Sequence, residues 1–385
     1  MNAIKMPRGF RAAGISAGIK QRGDQDLALV TLERAGPAAA LFTRNQLLGA
    51  HVTVCREHLA QSGGRVRALL VNSGNANCAT GDAGIDDARQ LAGAVAERME
   101  CPASEVLVMS TGVIGARLPM PKLLEAVPRL FDALADDGAQ EFNRAIMTTD
   151  TTEKRATRTL GDARLVGVAK GSGMIHPDMA TMLAYLFTDA ALGGDAHAML
   201  TEANQQSFQR MTVDGDTSPN DTVLLWSSEK SGPASLFERA LTSVSGELAR
   251  LIAKDGEGAS RLITIRVSNA PTEDAAAQVG RVIATSPLVK TAVAGRDPNW
   301  GRILSAAGRA GVPFDPNRAM VRVGTSVVFA DGRPHPANEG AAARYLADEA
   351  EVILSIDLAA GNATADVWTC DLTADYVSIN ADYRT

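Results

Sequence analysis

The sequence predicts a mixed α+β protein whose buried strands run straight into polar clusters and alternate with amphipathic helices. Three observations carry this. The apolar runs at 67–71 and 106–109 have the length and the Leu/Val content of buried strands. Both end in polar clusters, Asn72-Ser73-Gly74-Asn75-Ala76-Asn77 and Ser110-Thr111-Gly112-Val113-Ile114-Gly115, rich in residues that suit tight turns. Longer stretches such as 235–253 place apolar residues at Leu236, Leu241, Val244, Leu248 and Ile252, along one helix face.

The elements follow in order. Runs at 27–32 and 38–42 read as two strands, followed by 67–71. A helix is expected over 86–97, where Ala88, Leu91, Ala92, Val95 and Ala96 recur at helical spacing. The strand at 106–109 precedes a helix over 120–134. A strand at 163–168 leads into a glycine-rich segment, and an apolar run from Met182 reaches Thr188. Then come a helix over 195–209, a buried strand at 222–226 and the helix at 235–253. Residues 262–267 alternate apolar and polar, the pattern of a half-exposed strand. The last hundred residues add a helix near 339–350 and strands at 351–358 and 365–371. No internal repeat, low-complexity stretch or Pro/Gly/Ser linker interrupts the chain.

Composition narrows the function. A length of 385 residues predicts two domains or one large layered unit. A net charge of −6 and 4% aromatic content argue against nucleic acid or an anionic membrane as the main partner. No apolar run approaches the roughly 20 residues of a membrane span, and residues 1–10 hold no apolar signal core. Cys55, Cys78, Cys101 and Cys370 are scattered, and the five histidines form no His-x-x-His pattern. A reduced, cytoplasmic protein without a metal site is the expectation.

The most informative stretch is Lys170-Gly171-Ser172-Gly173-Met174-Ile175-His176-Pro177-Asp178-Met179-Ala180-Thr181. A break between Ala180 and Thr181 would give Thr181 a hydroxyl nucleophile and an α-amine on one residue. That amine titrates near about 7.7–8.0, so it can act as a base at neutral pH. The plainer reading is a threonine that opens a strand, for which a β-branched residue is suited.

Other runs carry similar pairs of readings. Ser110-Thr111-Gly112 is either a plain turn or a set of donors for a developing oxyanion. Met147-Thr148-Thr149-Asp150-Thr151-Thr152 is either a helix N-cap region or exposed turn, or a substrate-bonding surface. Glu257, in Lys254-Asp255-Gly256-Glu257-Gly258-Ala259, is either a solvated residue past a helix end or a partner for a substrate ammonium. The run Asp214-Gly215-Asp216-Thr217-Ser218-Pro219-Asn220-Asp221 fails a calcium-loop template, because Pro219 replaces the required Gly and Leu225 the bidentate Glu. Gly295-Arg296-Asp297-Pro298-Asn299-Trp300-Gly301-Arg302 reads as an anion contact or a loop held by an Arg–Asp pair.

Together these motifs resemble the ornithine acetyltransferases, or glutamate N-acetyltransferases, of arginine biosynthesis. The matching segments are 72–80, 109–115, 146–151, 168–183, 213–222, 253–259, 285–302 and 380–385, in family order. The resemblance implies an α-β-β-α sandwich shared with self-cleaving aminopeptidases. It implies cleavage between Ala180 and Thr181 into an α chain (1–180) and a β chain (181–385) that stay associated, as an α2β2 heterotetramer. Thr181 is then the nucleophile, Thr111 and Gly112 the oxyanion pair. Thr148, Thr149, Lys170, Thr181, Glu257, Asn380 and Thr385 are the expected substrate ligands, with the choice between the Thr148 and Thr149 hydroxyls left open. The implied reaction carries acetyl from N2-acetylornithine to glutamate through acetyl-threonine. No cofactor is expected; acetyl-CoA is a second donor in some members and not in others. One position departs from the family pattern: Glu153 precedes Lys154 where a proline is common. Rival readings are a self-cleaving aminopeptidase of the same fold, a secondary-metabolism acyltransferase, and an uncleaved binding protein.

Overall fold

A computed structural model describes residues 4–176 and 182–382. Its first half contains β1 (Phe10–Ile15), β2 (Leu27–Phe42), α1 (Ala50–Gln61), β3 (Arg65–Asn75), α2 (Gly81–Met99), β4 (Val106–Val113), α3 (Met120–Asp132), α4 (Ala139–Ile146), β5 (Lys154–Leu160) and β6 (Ala163–Lys170). Then follow β7 (Leu183–Thr188), α5 (Ala196–Gln205), β8 (Thr222–Ser227), α6 (Phe237–Lys254), β9 (Leu262–Ala270), α7 (Glu273–Ala284), α8 (Pro287–Ala294) and α9 (Trp300–Gly308). The chain ends with β10 (Met320–Val323), β11 (Ser326–Ala330), β12 (Arg333–Pro334), α10 (Glu339–Asp348), β13 (Glu351–Asp357), β14 (Ala363–Cys370) and α11 (Ala374–Asp382).

The layering follows from side-chain alternation along strands that are apolar on both faces. Ala68, Leu70, Leu27, Leu29, Val106 and Val108 face the helices α2 and α3 through Leu91, Val95, Leu123 and Val127. Their neighbours Leu69, Val71, Ala28, Val30, Leu107 and Met109 point the other way, onto Val166, Val168, Tyr185, Phe187, Leu224 and Trp226. The far face of those strands, Leu165, Ala184, Leu186, Val223 and Leu225, packs on α5 and α6 through Leu200, Leu241, Val244 and Leu248. The result is helices, sheet, sheet, helices: the α-β-β-α sandwich that the resemblance implies.

Strand β2 joins the two sheet layers, in the order β4-β3-β2-β8-β7-β6-β5 with β1 also on β2. Its first half pairs with β1 and β3, and its second half pairs with β8. The ladder to β3 shifts between Thr31 and Gly36. There a Cβ on Gly36 would sit 1.9 Å from the Ser227 carbonyl oxygen, so only glycine permits the crossing. The two runs read as separate strands are therefore one bent strand. Between the sheets, Phe10, Phe142, Tyr185, Phe187 and Trp226 form a continuous aromatic cluster, with the Phe10–Trp226 pair edge-on at 5.0 Å.

The C-terminal part builds a second sheet, β12-β11-β10-β13-β9-β14, with its own core against α7, α9 and α10. Strand β9 was expected to be half exposed. It lies between β13 and β14, and Arg266 is its one exposed side chain. Position 180/181 falls between β6 and β7, adjacent strands of one sheet.

Two expected turns are strands. β3 runs through Asn75 and β4 through Val113, because each supplies the other's parallel partner. Their polar side chains find partners in the sheet and in α4: Ser110 Oγ donates to Asn72 Oδ1 at 2.7 Å, and Ser73 Oγ to the Ala145 carbonyl of α4 at 2.6 Å. No described helix is long and apolar enough to cross a membrane. Among the described residues no cluster of His, Cys, Asp and Glu is placed to hold a metal, and all four cysteines are free thiols.

Candidate active site

At one end of the sandwich the strands finish in polar residues around a cavity of about 260 Å³. Thr111 and Gly112 come from the end of β4, and Lys170 from the end of β6. Thr148 and Thr149 come from the loop after α4, and Glu257 from the loop after α6. Tyr376 and Asn380, one turn apart, face it from α11. Seven residues singled out in the sequence thus line one cavity: Thr111, Gly112, Thr148, Thr149, Lys170, Glu257 and Asn380. Ala180, Thr181 and Thr385 lie outside the described residues.

Gly112 has φ +132°, and a Cβ there would lie 2.4 Å from the Gly74 carbonyl carbon. The Gly74–Gly112 pair lets two backbones approach where any other residue would push them apart. Beside it, Lys170 Nζ donates to Thr111 Oγ1 at 3.1 Å. Burial pushes the Lys170 ammonium below its usual range, and the neighbouring Asp150 pulls it back up. It is a desolvated cation within reach of an incoming anion.

Glu257 is only 8% exposed, so it is no solvated helix-end residue. Its carboxylate accepts from Asn380 Nδ2 at 2.9 Å, and its N–H donates to the Ser172 carbonyl at 2.9 Å. A Cβ on Gly173 would meet the Glu257 carboxylate at 2.3 Å, which explains the glycine there. Lys170 and Glu257 put opposite charges on one small cavity, the arrangement that suits a zwitterionic ligand.

The stretch at 147–152 is no helix N-cap: Met147 is the C-cap of α4, and the exposed Thr151 and Thr152 follow a segment tied down at Asp150. Thr148 N and Gly171 N both donate to the Asp150 carboxylate, at 2.9 and 2.7 Å. Burial opposes the charged form of Asp150, but Lys154 and Lys170 outweigh it and hold its carboxyl well below the usual range. Glu153, the departure from the family pattern, pairs with Arg144 and Arg155, each at 2.7 Å.

The failed calcium-loop run supplies another wall. Asp214 accepts from Met174 N at 2.6 Å and Ile175 N at 2.9 Å. Asn220 Nδ2 donates to the Ala76 and Ser110 carbonyls at 2.6 and 2.7 Å, pinning the strand ends that carry Thr111. Asp221 is buried and accepts from the Met182 N–H; burial raises its carboxyl well above the usual range. Asp150, Asp214, Asn220, Asp221 and Tyr376 were missed as site residues, although four of them lie in runs already quoted for other reasons. The 295–302 loop lies away from this cavity. Asn299 caps α9 and bonds Asp297 at 2.9 Å, so the loop is held without an Arg–Asp pair.

A family model described as the ArgJ family matches residues 11–385. The chain is 44% identical over 404 residues to the arginine biosynthesis bifunctional protein ArgJ of Synechocystis sp., covering 99% of this chain and 98% of that protein. Its identity to the protein of the same description from Deinococcus radiodurans is 46% over 387 residues, with 99% and 98% covered. A solved structure of arginine biosynthesis bifunctional protein argJ from Bacillus halodurans is 37% identical, with 53% of this chain and 100% of that one covered and a TM-score of 0.49. The chain belongs to the ArgJ family, and with it to the acyltransferases of arginine biosynthesis.

Proposed function

We propose that the protein is a cytoplasmic glutamate N-acetyltransferase that moves acetyl from N2-acetylornithine to glutamate, with Thr181 as nucleophile. The observation that carries this is the single cavity lined by Thr111, Gly112, Thr148, Thr149, Lys170, Glu257 and Asn380. The Ala180–Thr181 bond breaks first, and the new α-amine of Thr181 serves as the base. Thr181 Oγ attacks the acetyl carbonyl carbon, and its proton passes through the α-amine to the leaving nitrogen. Thr111 and Gly112 stabilise the oxyanion, a contribution typically worth about 10²–10³ in rate per donor. The amide C–N bond breaks, ornithine leaves, and an acetyl ester remains on Thr181. The α-amine of glutamate attacks that ester, N-acetylglutamate departs, and the hydroxyl recovers its proton.

Charge supports the substrate assignment. The desolvated Lys170 suits a substrate carboxylate, and Glu257 suits the side-chain ammonium of ornithine. Asn380 and one hydroxyl of Thr148 or Thr149 add neutral contacts. Thr385 is taken as a further ligand on the ornithine side. Deleting Arg384 and Thr385 should therefore weaken ornithine-side affinity; unchanged affinity would remove that contact from the scheme. No cofactor is needed, and acetyl-CoA is a candidate alternative acetyl donor. The α and β chains stay paired and assemble as α2β2.

The deciding experiment is the denatured intact mass of wild type and Thr181→Ala. Two separate fragments, 1–180 and 181–385, in wild type and one intact chain in the variant are expected. Initial rates with N2-acetylornithine and glutamate should then give the parallel lines of ping-pong kinetics. One uncut chain in both proteins would remove the amine base, and acetyl transfer only to water would favour an amidase.

A further inference from the structure

Beneath the cavity, one buried lysine ties together three of the segments that carry its polar groups. Lys154 opens β5 with a fully buried side chain. Its Nζ donates to Asp150 Oδ1 and to Asp255 Oδ2, each at 2.6 Å. Asp255 in turn accepts from Thr151 N at 3.0 Å, Thr152 N at 3.3 Å and the Thr151 hydroxyl. Its own carbonyl accepts from Ser172 Oγ at 2.6 Å. With the Asp150 bonds to Thr148 N and Gly171 N, the segments around 148–152, 170–172 and 255–257 share a single hydrogen-bonded charge cluster.

We propose that Lys154, Asp150 and Asp255 are positioning residues for substrate recognition: an ionic clamp that sets the spacing between Thr148/Thr149, Lys170 and Glu257. The inference rests on the substrate roles proposed above for that cavity. The physical argument starts from the weakness of the alternative. Taking three charges out of water is a poor route to stability, and well-packed apolar residues of similar volume often do as well. A carboxylate, however, accepts several N–H groups at once in fixed directions. Here the two carboxylates accept four backbone amides from two segments. A zwitterionic substrate must reach Lys170 and Glu257 together, so its affinity depends on their separation. Weakening one charged contact by poor alignment lowers binding by about ten- to a hundredfold.

The test uses full-length, processed protein and the variant Asp255→Asn, which keeps the shape and removes one charge. Two readouts are taken: amide hydrogen exchange in peptides covering 146–152 and 168–173, and steady-state kinetics with N2-acetylornithine and glutamate. Expected are exchange faster by about tenfold or more in those peptides against an unchanged β7, and a KM for N2-acetylornithine raised by about ten- to a hundredfold with kcat little changed. Exchange that is unchanged, or that rises only in step with the whole protein, overturns the clamp. So does a KM that stays at the wild-type value, or a loss confined to kcat. Should Asp255→Asn fail to fold, Thr151→Val removes one bond to Asp255 and no charge, and the same criteria decide with a smaller expected effect. If wild type moves no acetyl between these two substrates, the functional reading fails by itself. Exchange at 146–152 and 168–173 then still decides whether the clamp holds those segments.

Discussion

The middle and the end of the sandwich are built from the same strands and follow opposite rules. In the middle, β3, β4, β6 and β7 contribute Leu69, Val71, Leu107, Met109, Val166, Val168, Tyr185 and Phe187, all 1% exposed or less. A few residues further along, β3 carries Asn72, Ser73 and Asn75, β4 carries Ser110 and Thr111, and β6 carries Lys170, and these too are buried. The first region gains from removing apolar surface from water, at roughly 25 cal/mol per Å². The second region gives up that gain and must satisfy each polar group by a specific bond. The difference teaches where to look for function in a layered fold: where a buried strand continues but its side chains cease to be apolar.

Four measurements can break or sharpen that contrast. The largest stability effect is expected from Phe187→Ala, which empties the centre of the aromatic cluster. Denaturant unfolding should show a loss of about 3–5 kcal/mol; a loss under about 1 kcal/mol would mean that the middle is not the stabilising region. Lys154→Met should also cost about 3–5 kcal/mol, because it leaves Asp255 a buried carboxylate without its paired cation and Asp150 with Lys170 alone. If neutralising all three groups together restores stability while KM stays high, the cluster serves geometry and not folding.

His51 gives a pH test at the border between the regions. It is fully buried on α1, with Nε2 3.2 Å from the Asn220 carbonyl oxygen. Burial pushes its imidazole down to about 4, against a smaller upward pull from that carbonyl. Between that value and the unfolded value near about 6.5, the unfolded chain binds more protons, so stability rises with pH. The contribution is complete above about 6.5 and disappears as pH falls towards 4. Lowering the pH from about 6.5 to about 5 should cost roughly 2 kcal/mol, and His51→Gln should remove that part of the slope in urea midpoints. The smallest stability change is expected for Lys170→Met. Removing a desolvated cation should leave stability within about 1 kcal/mol, or raise it. The KM for N2-acetylornithine should rise at least about tenfold through the lost ionic contact. A large stability loss without a change in KM would make Lys170 part of the core and not of the site.

Much of this was legible in the sequence, for identifiable reasons. Helices α2 and α6 announce themselves through regular apolar spacing, and the strands through compact Leu/Val runs. The cavity residues stood in runs dense in hydroxyls and glycines, which cores do not use without cause. What escaped was set by tertiary structure. Lys154 and Asp255 are 101 residues apart and meet only because β5 starts beneath the loop after α6. The eight-residue α4 is too short for a periodic signal, yet it inserts Phe142 between the sheets. Asn72–Asn75 read as a turn because local chemistry favours one there; pairing with β4 overrides that preference.

β7 and β8 lie between β2 on one side and β6 on the other. Severing the backbone anywhere between β6 and β7 would leave two polypeptides interleaved in one sheet, each completing the hydrogen-bond ladder of the other. Such a pair cannot come apart by sliding or by opening an interface; it separates only by melting. Assembly and disassembly would then differ in molecularity. The uncut chain folds by a first-order process, whereas severed and unfolded halves would have to find each other, at a rate that falls with dilution. A nick in this sheet would convert a reversible fold into one that persists through the height of its unfolding barrier.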